Sequence, residues 1–198
     1  MRRNLKQLFS FFSTLLYRNG RPIETLAATQ TTWLSRVQIR HLTPEDLPTL
    51  EWEGEFTHFR RVYADAYERF QHSLSILWVA DLPEAGIIGQ VFIQLICDRP
   101  ELADGVNRAY LYSFRVRQEY RSAGLGSRIM EVVMDDLRRR GYTYLILNVA
   151  KDNLRARKLY ERHYFHVVAH EPGRWTFQDE KGAWRTIEEP AWRMERKL

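Results

Sequence analysis

Two glycines two residues apart, Gly124 and Gly126, separate an apolar run from an amphipathic one, and this junction constrains the fold more than any other stretch. The apolar run, residues 109–116, reads as a strand. The run after the glycines places Ile129, Val132, Val133 and Leu137 on one helical face and stops at Gly141. A strand that feeds a helix through such a loop presents successive backbone N–H groups at the helix's positive end, which suits a phosphate. Spacing excludes two common phosphate loops. A dinucleotide fingerprint needs a third glycine where Ile129 stands, and a Walker loop needs Lys and then Ser/Thr where Ser127 and Arg128 stand.

What remains is Arg-x-x-Gly-x-Gly, carried by Arg121, Gly124 and Gly126. A second pattern follows in the same chain. Residues 145–149 read as a short buried strand, and residues 153–161 as a helix with Asn153, Ala156 and Tyr160 in an Asn-x-x-Ala-x-x-x-Tyr arrangement. Both patterns, in this order and on strand–helix units, resemble the GCN5-related N-acetyltransferase (GNAT) family. The resemblance spans residues 35–198 as one domain and leaves residues 1–34 as a basic, amphipathic extension.

That resemblance implies an α/β fold, with a mixed, mostly antiparallel central sheet flanked by helices. Strands four and five splay apart in it to admit the pantetheine arm of acetyl-CoA. It implies acetyl-CoA as co-substrate, an amine as acceptor, no metal, and direct attack in a ternary complex. Backbone groups of Phe114, Arg115 and Val116 would hold the pantetheine, with the Val116 amide donating to the thioester oxygen. Amides along Arg121, Ser122, Ala123, Gly124, Leu125 and Gly126 would take the pyrophosphate, and Asn153 would steady the cofactor. Tyr160 would be the general acid, since a phenol with pKa about 10 is protonated at neutral pH.

Two positions depart from the family pattern. Protein-acetylating relatives carry a glutamate where this chain has Asn148, which cannot take a proton near neutrality. The base must then lie elsewhere, or the amine must arrive neutral. Glu51, Glu53 and Glu55 cluster where the family shapes its acceptor pocket, and they read either as that pocket or as a solvated helix end. The family's Gly-Phe after the tyrosine is Tyr164-Phe165 here, which predicts a locally rebuilt helix cap.

The flanking sequence fits one domain. Val37 and Ile39 mark a first strand; Thr43-Pro44-Glu45-Asp46 starts a helix; Phe59, Val62, Tyr63, Ala66 and Phe70 share a helical face. Residues 75–81 and 87–96 flank a turn at residues 83–86, and a second hairpin turns at residues 179–182 before a closing strand over residues 191–197. Trp175 and Trp184 beside that turn would line an apolar acceptor pocket or bury the sheet edge.

Charge narrows the partners. The net charge is +5, but residues 1–34 hold five basic residues against Glu24 and so carry four of those charges, leaving +1 on the rest. A near-neutral domain has no broad surface for a nucleic-acid backbone. The extension, with Leu5, Leu8, Phe9, Phe12, Leu15 and Leu16 in one stripe, would pack on the domain or a dimer mate, lie on an anionic membrane surface, or act in targeting. The single Cys97 excludes a disulfide framework, reads as a small buried hydrophobe and fits a cytoplasmic protein. His166 and His170 would share a strand face too far apart for one metal ion. The rival to an enzyme is a non-catalytic acyl-CoA sensor or membrane-associated adaptor that keeps the cofactor loop.

Overall fold

A computed structural model describes residues 33–198, so the apolar stripe expected within residues 1–32 lies outside the described residues. The elements run β1 (Gln38–His41), two 3-10 segments (Pro44–Glu51 and Thr57–Phe59), α1 (Arg60–Gln71), β2 (Ser75–Leu82) and β3 (Gly86–Gln94). After β4 (Arg108–Val116) come a short 3-10 turn (Gln118–Tyr120), α2 (Leu125–Arg139), β5 (Tyr144–Ala150) and α3 (Leu154–Arg162). The chain closes with β6 (His166–Glu171), β7 (Arg174–Gln178), β8 (Trp184–Glu188) and β9 (Ala191–Lys197). Seven strands form one sheet in the order β1-β2-β3-β4-β5-β9-β6, antiparallel throughout except for the parallel β4–β5 pair. This is the mixed, mostly antiparallel sheet expected from the resemblance. No helix among the described residues is long and apolar enough to cross a membrane.

Both faces of the sheet are covered, which is why β2 and β3 are buried almost without interruption. On one face, α2 sets Ile129, Met130, Val133 and Leu137 against Ile88, Val91, Leu111 and Leu147. On the other, Tyr63 and Ala66 of α1, Leu50 of the first 3-10 segment and Phe177 of β7 cover Leu77, Val79 and Phe92. The helix expected from Thr43 onward is a 3-10 segment. Its start is capped as predicted, Asp46 accepting from the Thr43 amide at 2.8 Å, but Pro48 inside it removes a donor and keeps the coil short-ranged.

The splay at the sheet's centre has a local cause. β4 pairs with β5 from Arg108↔Tyr144 to Leu111↔Leu147 and then stops. There the β3–β4 register shifts between Gln90 and Phe92, and Ser113 takes φ +50°, a bulge that bends β4 away. β5 meanwhile stays paired to β9 as far as Ala150. The two strand ends diverge and leave an open wedge.

β7 and β8 leave the main sheet as a separate hairpin. Its hinge is Gly173, at φ +67°, where a Cβ would sit 1.7 Å from the Glu189 carbonyl oxygen, so only glycine permits the crossing. The turn is organised by Asp179, only 2% exposed, which accepts from the Lys181 and Ala183 amides and from Arg185. The hairpin lays Trp175 and Phe177 on Phe59, with ring centroids 6.0 and 5.0 Å away. Trp184 is 72% exposed and covers neither pocket nor edge.

Two expectations need correction. The cap after α3 is not rebuilt: Tyr164 itself takes the left-handed conformation at φ +60°, and the Phe165 amide returns to the Tyr160 carbonyl at 3.1 Å. His166 and His170 do not share a face. A register shift between Val167 and Ala169 pairs them with Glu195 and Trp192, which point to opposite sides of β9.

Candidate active site

The wedge between β4 and β5 is where the sequence-predicted residues meet. The Arg117 amide donates to the Ile88 carbonyl at 2.8 Å, so Val116, opposite Gly89, falls in the non-bonded pair of the antiparallel ladder. Its amide and carbonyl therefore face the open edge that β5 has left. The carbonyl is taken by Arg121 Nε at 2.7 Å; the amide points into the wedge.

Beyond β4, Ser122 at φ +67° and Gly124 at φ +96° curl the chain into the start of α2. The amides of Ser122, Ala123 and Gly124 donate to nothing among the described residues, and the first-turn amides of a helix have no partner by geometry. A Cβ on Gly126 would stand 3.3 Å from Leu159 Cδ2 and 3.8 Å from Phe114 Cζ, so its absence lets the α2 terminus sit against α3. Arg155 donates to Ser122 Oγ at 2.8 Å. Burial, then the charge of Arg155, pull the Arg121 guanidinium below the usual arginine range. Bare amides, a helix dipole and two guanidinium groups with no ion pair among the described residues make a site that fits a diphosphate.

Asn153 caps α3, its Oδ1 accepting from the Ala156 amide at 3.1 Å, so only its NH2 is left for a ligand. Tyr160 lies on the inner face of α3, 6% exposed, its ring 6.5 Å from Phe114 and 5.9 Å from Phe165. Its hydroxyl makes no hydrogen bond among the described residues. Burial raises its pKa well above that of a free phenol.

On the other face of the sheet the wedge is walled by Tyr110 and Tyr112, parallel rings 6.2 Å apart. Burial pushes Tyr110 up to about 12. The register of β5 puts Asn148 on this same face, with Oδ1 buried and unpartnered. The three acids of the first loop separate in role. Glu51 is held by Arg60 at 2.9 Å and Thr57 at 2.7 Å, and Glu53 is bidentate to Arg117 at 2.7 and 2.9 Å. Glu55 has no ion pair among the described residues, and with Trp52 and Arg121 it lines a shallow cavity of about 270 Å³ beside the phosphate loop. No metal-holding group of His, Cys, Asp and Glu occurs among the described residues.

Sequence reasoning missed a cluster on this face: Phe56, His58, Phe59, Tyr63 and the side chain of Arg115. The one signal available was a charged residue inside the apolar end of β4; its surroundings come from segments too distant to be read locally.

The acetyltransferase (GNAT) family model matches residues 37–165. Among solved structures, Ard1 from Thermoplasma volcanium superposes with a TM-score of 0.63 at 18% identity, covering 82% of this chain and 98% of that one. The ribosomal-protein-S18-alanine N-acetyltransferase from Escherichia coli gives 0.60 at 21% identity, over 82% and 94%. The spermidine/spermine N-acetyltransferase SpeG from Vibrio cholerae gives 0.62 at 16% identity, over 83% and 94%. At these identities the likeness is one of fold. A comparison with curated proteins finds no match.

Proposed function

The chain belongs to the GNAT acetyltransferase family, and from that premise we propose that it moves an acetyl group from acetyl-CoA to an amine by direct attack in a ternary complex. The observation that carries this reading is the Val116 amide left unpaired where β4 parts from β5, with the bare amides of residues 122–124 beyond it and the Tyr160 ring packed beside Phe114. Acetyl-CoA, when bound, supplies the acetyl thioester. The loop from Arg121 to Gly126 holds the diphosphate, the NH2 of Asn153 steadies the cofactor, and the main chain of Phe114, Arg115 and Val116 aligns the pantetheine. The Val116 amide donates to the thioester oxygen, where charge develops. Tyr160 keeps the proton that the departing sulfur needs.

The amine must lose a proton. Asn148 Oδ1 can accept an N–H and orient the nitrogen but cannot take its proton. The amine therefore attacks neutral, or passes its proton to water at the mouth of the wedge. The acceptors of two similar structures, by their names, are a ribosomal-protein alanine and a polyamine. Asn148 in place of the glutamate of protein-acetylating relatives favours a small amine here.

The test is thiol release from acetyl-CoA against a panel of amines, amino acids and N-terminal peptides, with the cofactor's binding constant measured on the same sample. Turnover with one acceptor class supports the enzyme reading. Cofactor binding without turnover on any acceptor favours the acyl-CoA sensor, and absent cofactor binding ends both. We also read residues 1–34 as an appendage, but a truncation is best placed before Trp33. Trp33 packs edge-on against Tyr120 at 5.1 Å, and Leu34 accepts from Arg128, both beside the phosphate loop.

A further inference from the structure

Arg115 is a guanidinium held in place without a counter-ion among the described residues. Its plane lies over the rings of Phe56 at 4.3 Å and Phe59 at 4.9 Å, and Nη1 donates to the Tyr63 hydroxyl at 2.6 Å and, at 3.4 Å, to Ser113 Oγ. Nε and Nη2 donate to nothing among the described residues, and the residue as a whole is half-buried. Neighbouring arginines are used differently. Arg117 grips Glu53, Arg60 grips Glu51, and Arg40 grips Asp46 and Asp81. Arg115 makes no ion pair among the described residues; the carboxylate that acts on it from a distance is Glu55, which is exposed.

Fixing a charge among aromatic rings without a partner is costly, and burial does pull this guanidinium below the usual arginine range. The other titratable group at hand, His58, is held below its ordinary pKa by burial and by Arg115 itself, so it adds no second cation at neutral pH. Beneath lies a polar platform, Gln90 donating to Ser113 Oγ at 3.1 Å, which positions Ser113 under Arg115. Arg115 follows Phe114 and precedes Val116 on β4, so its side chain leaves the strand on the acceptor face beside the wedge. Phe56 and Phe59 lie against it, and Trp175 and Phe177 extend that apolar wall from Phe59.

Resting on the acetyltransferase reading, we propose that Arg115 receives a carboxylate of the acceptor, so that the substrate is a small amine that also carries a carboxylate on an apolar or aromatic body. A planar fork with two free donors matches a carboxylate bidentately. The same arrangement repels a polyamine.

The experiment compares matched pairs that differ only in the carboxylate: L-phenylalanine against phenethylamine, and L-leucine against isoamylamine, with a peptide bearing an acidic second residue as a third arm. Removing a charge-assisted hydrogen bond to the substrate corresponds to about 10- to 100-fold in kcat/KM, so the acids are expected to lead by that factor. In Arg115→Gln the ratio within each pair falls toward one, a readout internal to a single sample. Phenylacetate, which has no amine to acetylate, is expected to compete with the acceptor on the native protein, which keeps the proposal open to test if the variant does not fold. Preference for the decarboxylated amines, a pair ratio that survives in Arg115→Gln, or no competition by phenylacetate each overturns it. Turnover confined to the acidic peptide overturns the small-molecule source while keeping the carboxylate. Acetylation of the plain amines at full rate sinks this inference alone, whereas failure to bind acetyl-CoA sinks the reading beneath it.

Discussion

The two sides of the β4–β5 wedge are built from different materials. The side we propose for the cofactor is mostly main chain: the Val116 edge, the amides of residues 122–124 and the start of α2, with Gly126 shaped by what it lacks. The side we propose for the acceptor is mostly side chain: Tyr110, Tyr112, Asn148 and Arg115, roofed by the first 3-10 loop and the β7–β8 hairpin. Main-chain recognition needs particular residues chiefly to permit a conformation, so one loop can serve many sequences. Side-chain recognition changes with each substitution, so the substrate is set on that side.

The largest expected effect falls where the two sides meet. Tyr160→Phe removes the proposed proton donor and is expected to lower kcat about 100-fold, as general acid catalysis commonly contributes. The acetyl-CoA binding constant should change little, since the phenyl ring still packs on Phe114 and Phe165. Because burial raises the Tyr160 pKa, the hydroxyl stays protonated through pH 10, and no loss of rate on the alkaline side should be traceable to it. Unchanged kcat in Tyr160→Phe would dissolve the boundary drawn here between holding the cofactor and completing the reaction.

Next is a change confined to the cofactor side. Gly124 sits at φ +96°, which a β-branched side chain adopts only under strain of about 1–3 kcal/mol. Gly124→Val should therefore weaken acetyl-CoA binding about 10- to 100-fold, measured by calorimetry, as the loop relaxes and its amides turn away. Retained affinity would mean that the bare amides are not the phosphate cradle.

The mirror experiment belongs to the acceptor side. Gly173→Ala places a methyl against the Glu189 carbonyl and must shift the hairpin that carries Trp175 and Phe177. The acceptor KM should rise about tenfold, since misplaced groups far from the chemistry carry costs of that order. The acetyl-CoA binding constant should stay within about twofold, because no hydrogen bond, ion pair or ring contact joins the hairpin to the phosphate loop among the described residues. If both constants move together, the two sides are not separable.

The same contrast explains what could be read from the chain. What we propose as the cofactor side was legible as structure: glycines at fixed spacing mark the strand–loop–helix around Gly124, which announces itself within about 30 residues. The sheet was legible from period and turn signals, down to the closing strand over residues 191–197. The acceptor side was not. Glu51, Glu53 and Glu55 looked like one acidic cluster, but Arg60 and Arg117, the latter 64 positions beyond Glu53, neutralise two of them. The main chain of Arg115 reads with a cofactor strand, and no local signal shows that Phe56, Phe59 and Tyr63 close around its side chain. His166 and His170 looked aligned because a bulge leaves no mark in the sequence.

The smallest effect probes a position on neither side. Tyr164 ends α3 in the left-handed conformation, 80% exposed, with the Arg196 guanidinium over its ring at 5.7 Å. A non-glycine residue there costs about 1–2 kcal/mol, of which glycine gives back part by enlarging the unfolded ensemble, and an exposed cation–π contact is worth about 0.5–1 kcal/mol. The terms nearly balance, with backbone relief the larger, so Tyr164→Gly should raise stability by no more than about 1 kcal/mol in a denaturant titration. Neither the acetyl-CoA binding constant nor the acceptor KM should follow, because the Phe165 amide still returns to the Tyr160 carbonyl and holds the helix end. A loss of stability would show that the Arg196 interaction outweighs the strain. A change in kcat would show instead that the cap sets the position of Tyr160, and that the wedge depends on a residue outside both of its walls.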